Sequence, residues 1–160
     1  MMTGTSPQSG LPSAAAAVVA LPFSVRVGTE VRDFVSLEAS LRRHGRRFLE
    51  TTFSPAEVEA CGGYDAQPHV LAPGLTARLC AKEATLKVLR PTAILPEWRE
   101  MEIVPTPGGW LGLELTGAAQ QIAVERGLVD LQVSLSHDGA VAVATVIAIE
   151  VLQSTASIND

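Results

Sequence analysis

The chain is poor in cysteine, lysine and aromatic residues, and it has no long apolar run. Its 160 residues include only two cysteines, Cys61 and Cys80, which lack the C-x-x-C spacing of metal and redox motifs. Two thiols make no disulfide framework, so we expect a reduced, cytoplasmic protein. The longest early apolar run, residues 14–23, is interrupted by Pro22 and is too short for a membrane span of ~20 residues. No Lys or Arg precedes that run, which argues against a signal peptide.

The charge balance excludes a further class of protein. The net charge of −5 gives no reason to expect a nucleic acid partner. The charge is uneven, however, because six of the arginines lie within residues 26–49. A basic stretch on an acidic protein predicts one acidic partner surface, although a solvated helix end would look the same.

Length and composition predict one globular domain. With 47 % apolar and 18 % charged residues, the chain has enough apolar side chains for a core. Residues 1–22 are rich in Gly, Ser, Pro, Thr and Ala and are expected to form a flexible leader, and residues 154–160 a tail. Between them, residues 23–153 predict the order β-α-α-α-β-β-α-β-β. That order indicates an α+β fold with a mainly antiparallel sheet and a long packed helix.

The first strand and helix are predicted from alternation and capping. Residues 23–31 alternate apolar and polar side chains, with Val25 and Val27 on one face, as is typical of a half-buried strand. Asp33 can then cap a helix that we expect to stop at Gly45.

The strongest helix prediction covers residues 75–89, where leucines recur at helical spacing and Pro91 prevents continuation. The preceding residues 64–73 are predicted to be a loop. Both lysines of the chain, Lys82 and Lys87, lie on this helix.

Three positions could carry chemistry, each with a structural alternative. Glu83 and Lys87 are four apart and share a helix face, so they are either a surface ion pair or a metal-holding carboxylate beside a phosphate-binding ammonium. Glu83 borders the leucine stripe, which favours the functional interpretation. Glu30 stands at the end of the first strand, just after Gly28-Thr29, which is a usual place for a ligand to a hard cation and equally for a neighbour of a helix N-cap. His137 stands at a strand turn, where it is either structural or functional.

These residues, taken together, resemble the small holo-acyl-carrier-protein synthases, the phosphopantetheinyl transferases of fatty-acid and polyketide synthesis. The resemblance covers residues 24–151 and is carried by four segments in the family's order. They are Val27–Glu30, like the family's Gly-x-Asp; Arg47–Glu57, like its Arg-Phe and Thr-x-x-Glu; Arg78–Ala84, like its Arg-Phe-x-x-Lys-Glu-Ala; and Val133–His137, like its Val-Ser-(Ile/Leu)-(Ser/Thr)-His.

The resemblance implies an Mg²⁺-dependent transfer of 4′-phosphopantetheine from coenzyme A to a serine of an apo acyl carrier protein, within a homotrimer whose active sites lie between subunits. It also implies a role for each matching residue. Glu30 and Glu83 would hold Mg²⁺, Lys87 and Lys82 would meet phosphate oxygens, Arg78 and His137 would contact the nucleotide, and Arg43, Arg46 and Arg47 would dock the acidic carrier protein. By the same resemblance, Glu83 and Lys87 would act in catalysis, with either Glu83 or a metal-bound water as the general base.

Three departures from the family keep an alternative open. Glu30 replaces an Asp, residues 90–96 replace a glycine-rich loop, and Asp138 stands where the family usually has Thr, so that its carboxylate would repel a nearby phosphate. The alternatives are a catalytically weak relative that only binds carrier protein or coenzyme A, and an unrelated α+β domain.

Overall fold

The computed structural model describes residues 22–152, in which strands and helices follow the predicted order. The leader and the tail predicted from composition lie outside these residues, apart from Pro22. The elements are β1 Phe23–Asp33, α1 Phe34–Thr52, α2 Pro55–Glu59, α3 Pro68–Leu89, a 3₁₀ helix Trp98–Glu100, β2 Met101–Pro105, β3 Leu111–Leu115, α4 Gly117–Glu125, β4 Leu128–Asp138 and β5 Val141–Val151.

The strands form two antiparallel sheets. The larger has the order β1-β5-β4, and β2 and β3 form a separate hairpin. The apolar strand β5 lies in the centre, as its Val-, Ile- and Ala-rich sequence predicts. Helix α3 packs across one face of the larger sheet and against α1, so its buried residues contribute to all three core clusters. The predicted α+β class with a long packed helix is confirmed. Within the described residues no helix combines the length and the hydropathy needed to cross a membrane.

Helix α3 is longer than the sequence predicts. It begins at Pro68, so the expected loop over residues 64–73 is wrong in its second half. Proline is acceptable at the first helical position, because the N–H that it lacks has no partner inside the helix. Pro73 lies in the second turn, and the flanking Leu71 and Leu75 are buried in the core. Packing thus compensates for the hydrogen bond that this proline cannot donate.

Helix α1 bends where it was expected to end. The Asp33 side chain caps it by accepting a 2.7 Å hydrogen bond from the Ser36 backbone N–H, as predicted. Gly45 takes a left-handed φ of 53° with a non-helical ψ of −136°, but the chain re-enters a helix and continues to Thr52. The apolar side chain of Leu49 draws this second part onto the core, where it is buried.

Strand β1 is half-buried, but its polar face points inward. Val25 and Val27 are each 56 % exposed, whereas Arg26 and Gly28 are buried beneath α3. A Cβ atom on Gly28 would lie 2.1 Å from the carbonyl oxygen of Ala84, so only glycine permits this close approach of strand and helix. The apolar face of the strand is left open to solvent.

Candidate active site

Four charged side chains meet where β1 lies against α3. Glu30 and Arg32 are two apart on the strand and therefore point to the same face, and Glu83 and Lys87 are four apart on the helix. We call these four residues the charge quartet. Glu30 pairs with Lys87 and Glu83 pairs with Arg32, so the predicted site residues Glu30, Glu83 and Lys87 lie at the same junction of β1 and α3.

Two ion pairs cross between the elements. The Lys87 ammonium lies 2.9 Å from Oε2 of Glu30 and also donates to the carbonyl oxygen of Thr29 at 2.5 Å. The Arg32 guanidinium donates to both oxygens of Glu83, with Nε 2.6 Å from Oε2 and Nη2 2.7 Å from Oε1. The quartet is thus neutral in total, with charges of opposite sign facing each other.

The quartet is reachable from solvent, and its ion pairs shift the pKa values of two of its members. The hydrogen bond from Lys87 holds the pKa of Glu30 below its usual value, and the hydrogen bond to Glu83 raises the pKa of Arg32. The side chains of Glu30 and Glu83 are 25 % and 18 % exposed. A substrate could therefore approach both carboxylates without opening the core.

The donor set fits a hard divalent cation. Two carboxylates supply the oxygen ligands that Mg²⁺ prefers, and Mg²⁺ commonly takes its other ligands from water and substrate phosphates. Within residues 22–152 no group of three or more His, Cys, Asp or Glu side chains could hold a metal alone. A cation at the quartet would take its ligands beyond Glu30 and Glu83 from water, and from substrate oxygens where these are present.

His137 lies on the same face of the sheet as the quartet. It pairs with Ala142, which also pairs with Arg32, so the Cα atoms of His137 and Arg32 are two strands apart, or ~10 Å. Its ring contacts that of Phe34 edge-on, with the centroids 6.0 Å apart. The next residue, Asp138, points to the opposite face because side chains alternate along a strand. Within the protomer, the Asp138 carboxylate would therefore not face a phosphate bound on the side of the quartet.

Lys82 lies in the core and not in the quartet. Its side chain is 0 % exposed, and its ammonium is enclosed by Glu57 Oε2 at 2.9 Å and by the carbonyl oxygens of Trp98 and Met101 at 2.9 and 2.7 Å. All three N–H donors of the ammonium are satisfied inside the protein. This corrects the assignment of Lys82 to the cofactor, since a buried and satisfied ammonium is not available to a phosphate.

Arg78 also points away from the quartet. It is five residues from Glu83, or about 140° around the helix. Its Nη1 donates to the sulfur of Cys61 at 3.1 Å and to the carbonyl oxygen of Gly74 at 3.2 Å. Its Nε is buried without a partner among the described residues. Within one protomer, Arg78 and Glu83 therefore do not share a site.

The arginine patch, which we define as Arg43, Arg46 and Arg47, surrounds the bend at Gly45. All three side chains are exposed. Arg46 pairs with Glu50 at 2.7 Å and lies 4.5 Å from the ring centroid of Tyr64. Arg43 and Arg47 make no ion pair within residues 22–152. Their charges are available to a partner.

Arg32 is the quartet member that sequence reasoning missed. The signal was present, because the period of two along a strand places residue 32 on the face of Glu30. Its pairing with Glu83 could not be inferred without the packing of β1 against α3.

Comparison with known proteins supports this description of the chain. The family model of the 4′-phosphopantetheinyl transferase superfamily matches residues 26–146. The holo-[acyl-carrier-protein] synthase of Desulforudis audaxviator is 35% identical over 123 residues, which cover 77% of this chain and 91% of that protein. The holo-[acyl-carrier-protein] synthase of Salinispora arenicola is 40% identical over 118 residues, which cover 72% of this chain and 93% of that protein. Among solved structures, the coenzyme A complex of the Chronobacterium ammoniagenes enzyme has a TM-score of 0.67 and 28% identity, covering 81% of this chain and 99% of that chain.

Proposed function

Because the chain belongs to the 4′-phosphopantetheinyl transferase superfamily, we propose that it is a holo-[acyl-carrier-protein] synthase. It transfers 4′-phosphopantetheine from coenzyme A to a serine of an apo acyl carrier protein of fatty-acid or polyketide synthesis. The observation that carries this proposal is the charge quartet, which gathers Glu30, Glu83 and Lys87 at one solvent-accessible junction.

The chemistry needs charge neutralisation more than covalent help. The serine hydroxyl of the carrier protein attacks the β-phosphorus of coenzyme A, the bond from that phosphorus to the bridging oxygen breaks, and 3′,5′-ADP leaves. Glu30 and Glu83 would hold Mg²⁺, which when bound lowers the negative charge that the hydroxyl approaches. Lys87 exchanges Glu30 for a phosphate oxygen and neutralises part of the charge on the leaving group.

The nucleotide part of coenzyme A is expected to span two protomers. His137 faces the same side of the sheet as the quartet, so it can contact a nucleotide there. Arg78 lies on another side of α3 and would contribute only to a site completed by a second copy. The larger sheet supports such an assembly through a bare apolar face, formed by Phe23, Val25, Val27, Val31, Val129, Val141, Val143, Ile147 and Val151, all exposed. Exposed apolar patches of this kind mark interaction surfaces, and we propose that it forms a homotrimer.

Replacing Ile147 with Lys should break up that homotrimer, because a charge would then be buried in the centre of the apolar face. Light scattering after gel filtration should give about three times 16.8 kDa for the wild type and a mass near 16.8 kDa for the variant. Val124→Lys is the control, since Val124 is also an exposed apolar residue, at 72 % against 42 % for Ile147, but lies on α4. A monomeric wild type at micromolar concentration would contradict the trimer.

Removing charge from the arginine patch should weaken recognition of the carrier protein. Arg43→Ala with Arg47→Ala is the cleanest change, because neither side chain makes an ion pair within residues 22–152. The KM for carrier protein should rise about 5- to 20-fold while that for coenzyme A stays nearly constant, and the rise should shrink as salt screens the charges. Arg99→Ala, which changes an exposed side chain on the 3₁₀ helix, is the control. Equal loss for both substrates would indicate misfolding or a direct role in nucleotide binding.

The transferase itself is tested by mass spectrometry. Purified protein, coenzyme A and Mg²⁺ or Mn²⁺ should add the mass of phosphopantetheine to the serine of an apo carrier protein. Carrier protein that binds but gains no mass would identify a binding module instead. The loop over residues 91–96, which lacks the family's glycines, is the feature that favours this second function.

We also propose a cytoplasmic location. Cys61 and Cys80 are both free thiols in the structure. Burial raises the pKa of Cys80 to about 11, which keeps this thiol protonated and unreactive. Free thiols suit a reducing compartment.

A further inference from the structure

Arg32 occupies the carboxylate that the proposed metal ion would need. Its guanidinium donates to both oxygens of Glu83, at 2.6 and 2.7 Å. We propose that Arg32 is a positioning residue that a divalent cation must displace from Glu83, and that it thereby sets the cation concentration at which the site loads. This inference rests on the proposed role of Glu83 as a metal ligand.

The two ion pairs of the quartet differ in how completely they occupy their carboxylates. Lys87 meets only Oε2 of Glu30, at 2.9 Å, while the other oxygen accepts a 3.2 Å hydrogen bond from the Val31 backbone N–H. Arg32 uses the planar fork of its guanidinium on both oxygens of Glu83, the arrangement that binds a carboxylate most firmly. A cation could share Glu30 with Lys87, whereas at Glu83 it meets a guanidinium on both oxygens. Glu83 is therefore the position where the two compete.

Arg32 is placed so that it can leave. Its side chain is 41 % exposed, and it stands one residue before the end of the edge strand β1. Once released, the guanidinium can be solvated without opening the core. The same strand holds a contrasting pair, because Arg26 is bonded to Glu150 and also to the buried carbonyl oxygen of Val88. That second bond fixes Arg26 in place. Among the described residues, the Arg32 guanidinium has no hydrogen bond to a backbone carbonyl in addition to its bonds to Glu83.

The test measures the affinity of the full chain for Mn²⁺ alone at 0.15 M salt. The electron paramagnetic resonance signal of free Mn²⁺ reports how much of the ion is bound. Arg32→Gln should bind Mn²⁺ about 5- to 10-fold more tightly than the wild type, because no guanidinium then competes for Glu83. Arg32→Lys keeps the charge but loses the forked geometry of the guanidinium. Its affinity for Mn²⁺ should therefore lie between those of the wild type and Arg32→Gln. Arg42→Gln removes an equal charge from the Glu38 pair on α1 and should leave the affinity unchanged.

A double-mutant cycle separates this inference from the proposed metal site. In the Glu83→Gln background, Arg32→Gln should no longer increase the affinity for Mn²⁺. If Glu83→Gln weakens Mn²⁺ binding but Arg32→Gln gives no gain over the wild type, the metal site stands and the role of Arg32 is refuted. If Glu83→Gln leaves Mn²⁺ binding unchanged, or if neither the wild type nor Arg32→Gln binds Mn²⁺, the metal site itself is refuted, and the inference with it.

Discussion

Glu83→Gln is expected to lower kcat/KM by a factor on the order of 10²–10³, with the fold retained. The amide keeps the size of the side chain but removes the charge with which a hard cation is held. Each tenfold loss of rate corresponds to ~1.4 kcal/mol of transition-state stabilisation, so the expected factor represents about 3–4 kcal/mol. Steady-state transfer to an apo carrier protein, with Mg²⁺ varied, measures it. Glu30→Gln should cost a similar factor.

The combined change tests whether the two carboxylates act as a unit. Glu30 lies on β1 and Glu83 on α3, which approach each other closely at Gly28, and each carboxylate forms an ion pair across that junction. If both carboxylates hold one cation, the kcat/KM of the double variant should be only slightly below that of the less active single variant. A loss in the double variant equal to the product of the two single losses would mean that each carboxylate acts independently.

Glu30→Asp is the informative control, because it keeps the charge and shortens the side chain by about one C–C bond, ~1.5 Å. It also restores the residue that the family resemblance implies. We expect its activity to lie far above that of Glu30→Gln. If Glu30→Asp is as inactive as Glu30→Gln, the position of this strand requires the longer side chain of glutamate. Full Mg²⁺-dependent activity of Glu30→Gln would remove Glu30 from the proposed site.

Local chemistry was enough to predict the order of elements. The cap of α1 forms as its sequence indicates, with the Asp33 side chain accepting from the Ser36 backbone N–H. The Ser-Pro-Ala-Glu sequence that opens α2 likewise forms a capping box through Ser54 and Glu57. These features involve neighbours within a few residues, so the sequence contains both partners. The same holds for Glu83 and Lys87, whose shared helix face follows from their spacing.

Features that depend on packing could not be predicted in this way. The alternation of β1 shows that one face is apolar, but it does not show that α3 covers the other face. That arrangement leaves Val25 and Val27 exposed in the protomer, the reverse of what alternation predicts for a domain taken by itself. The bond from Arg32 to Glu83 likewise spans 51 positions and depends on the register of strand against helix.

The largest loss of stability is expected for Lys82→Met. This change leaves the carboxylate of Glu57 in the core without its cation, although it keeps the backbone hydrogen bonds from Ser54 and Ile103. Breaking a buried ion pair by removing one partner typically costs ~3–5 kcal/mol, a large part of the ~5–15 kcal/mol that stabilises a domain. Urea unfolding at one fixed protomer concentration measures it, since association also contributes to stability.

Two further variants give this prediction its controls. Lys87→Met removes the other lysine of the chain, whose ion pair with Glu30 is exposed, and should cost no more than ~1 kcal/mol of unfolding free energy. Lys82→Met combined with Glu57→Gln removes both buried charges and should recover part of the loss. Under conditions where Lys82→Met is folded, its KM for coenzyme A should equal that of the wild type, because the ammonium of Lys82 is enclosed by protein. A folded Lys82→Met variant with a raised KM for coenzyme A would return Lys82 to the cofactor site.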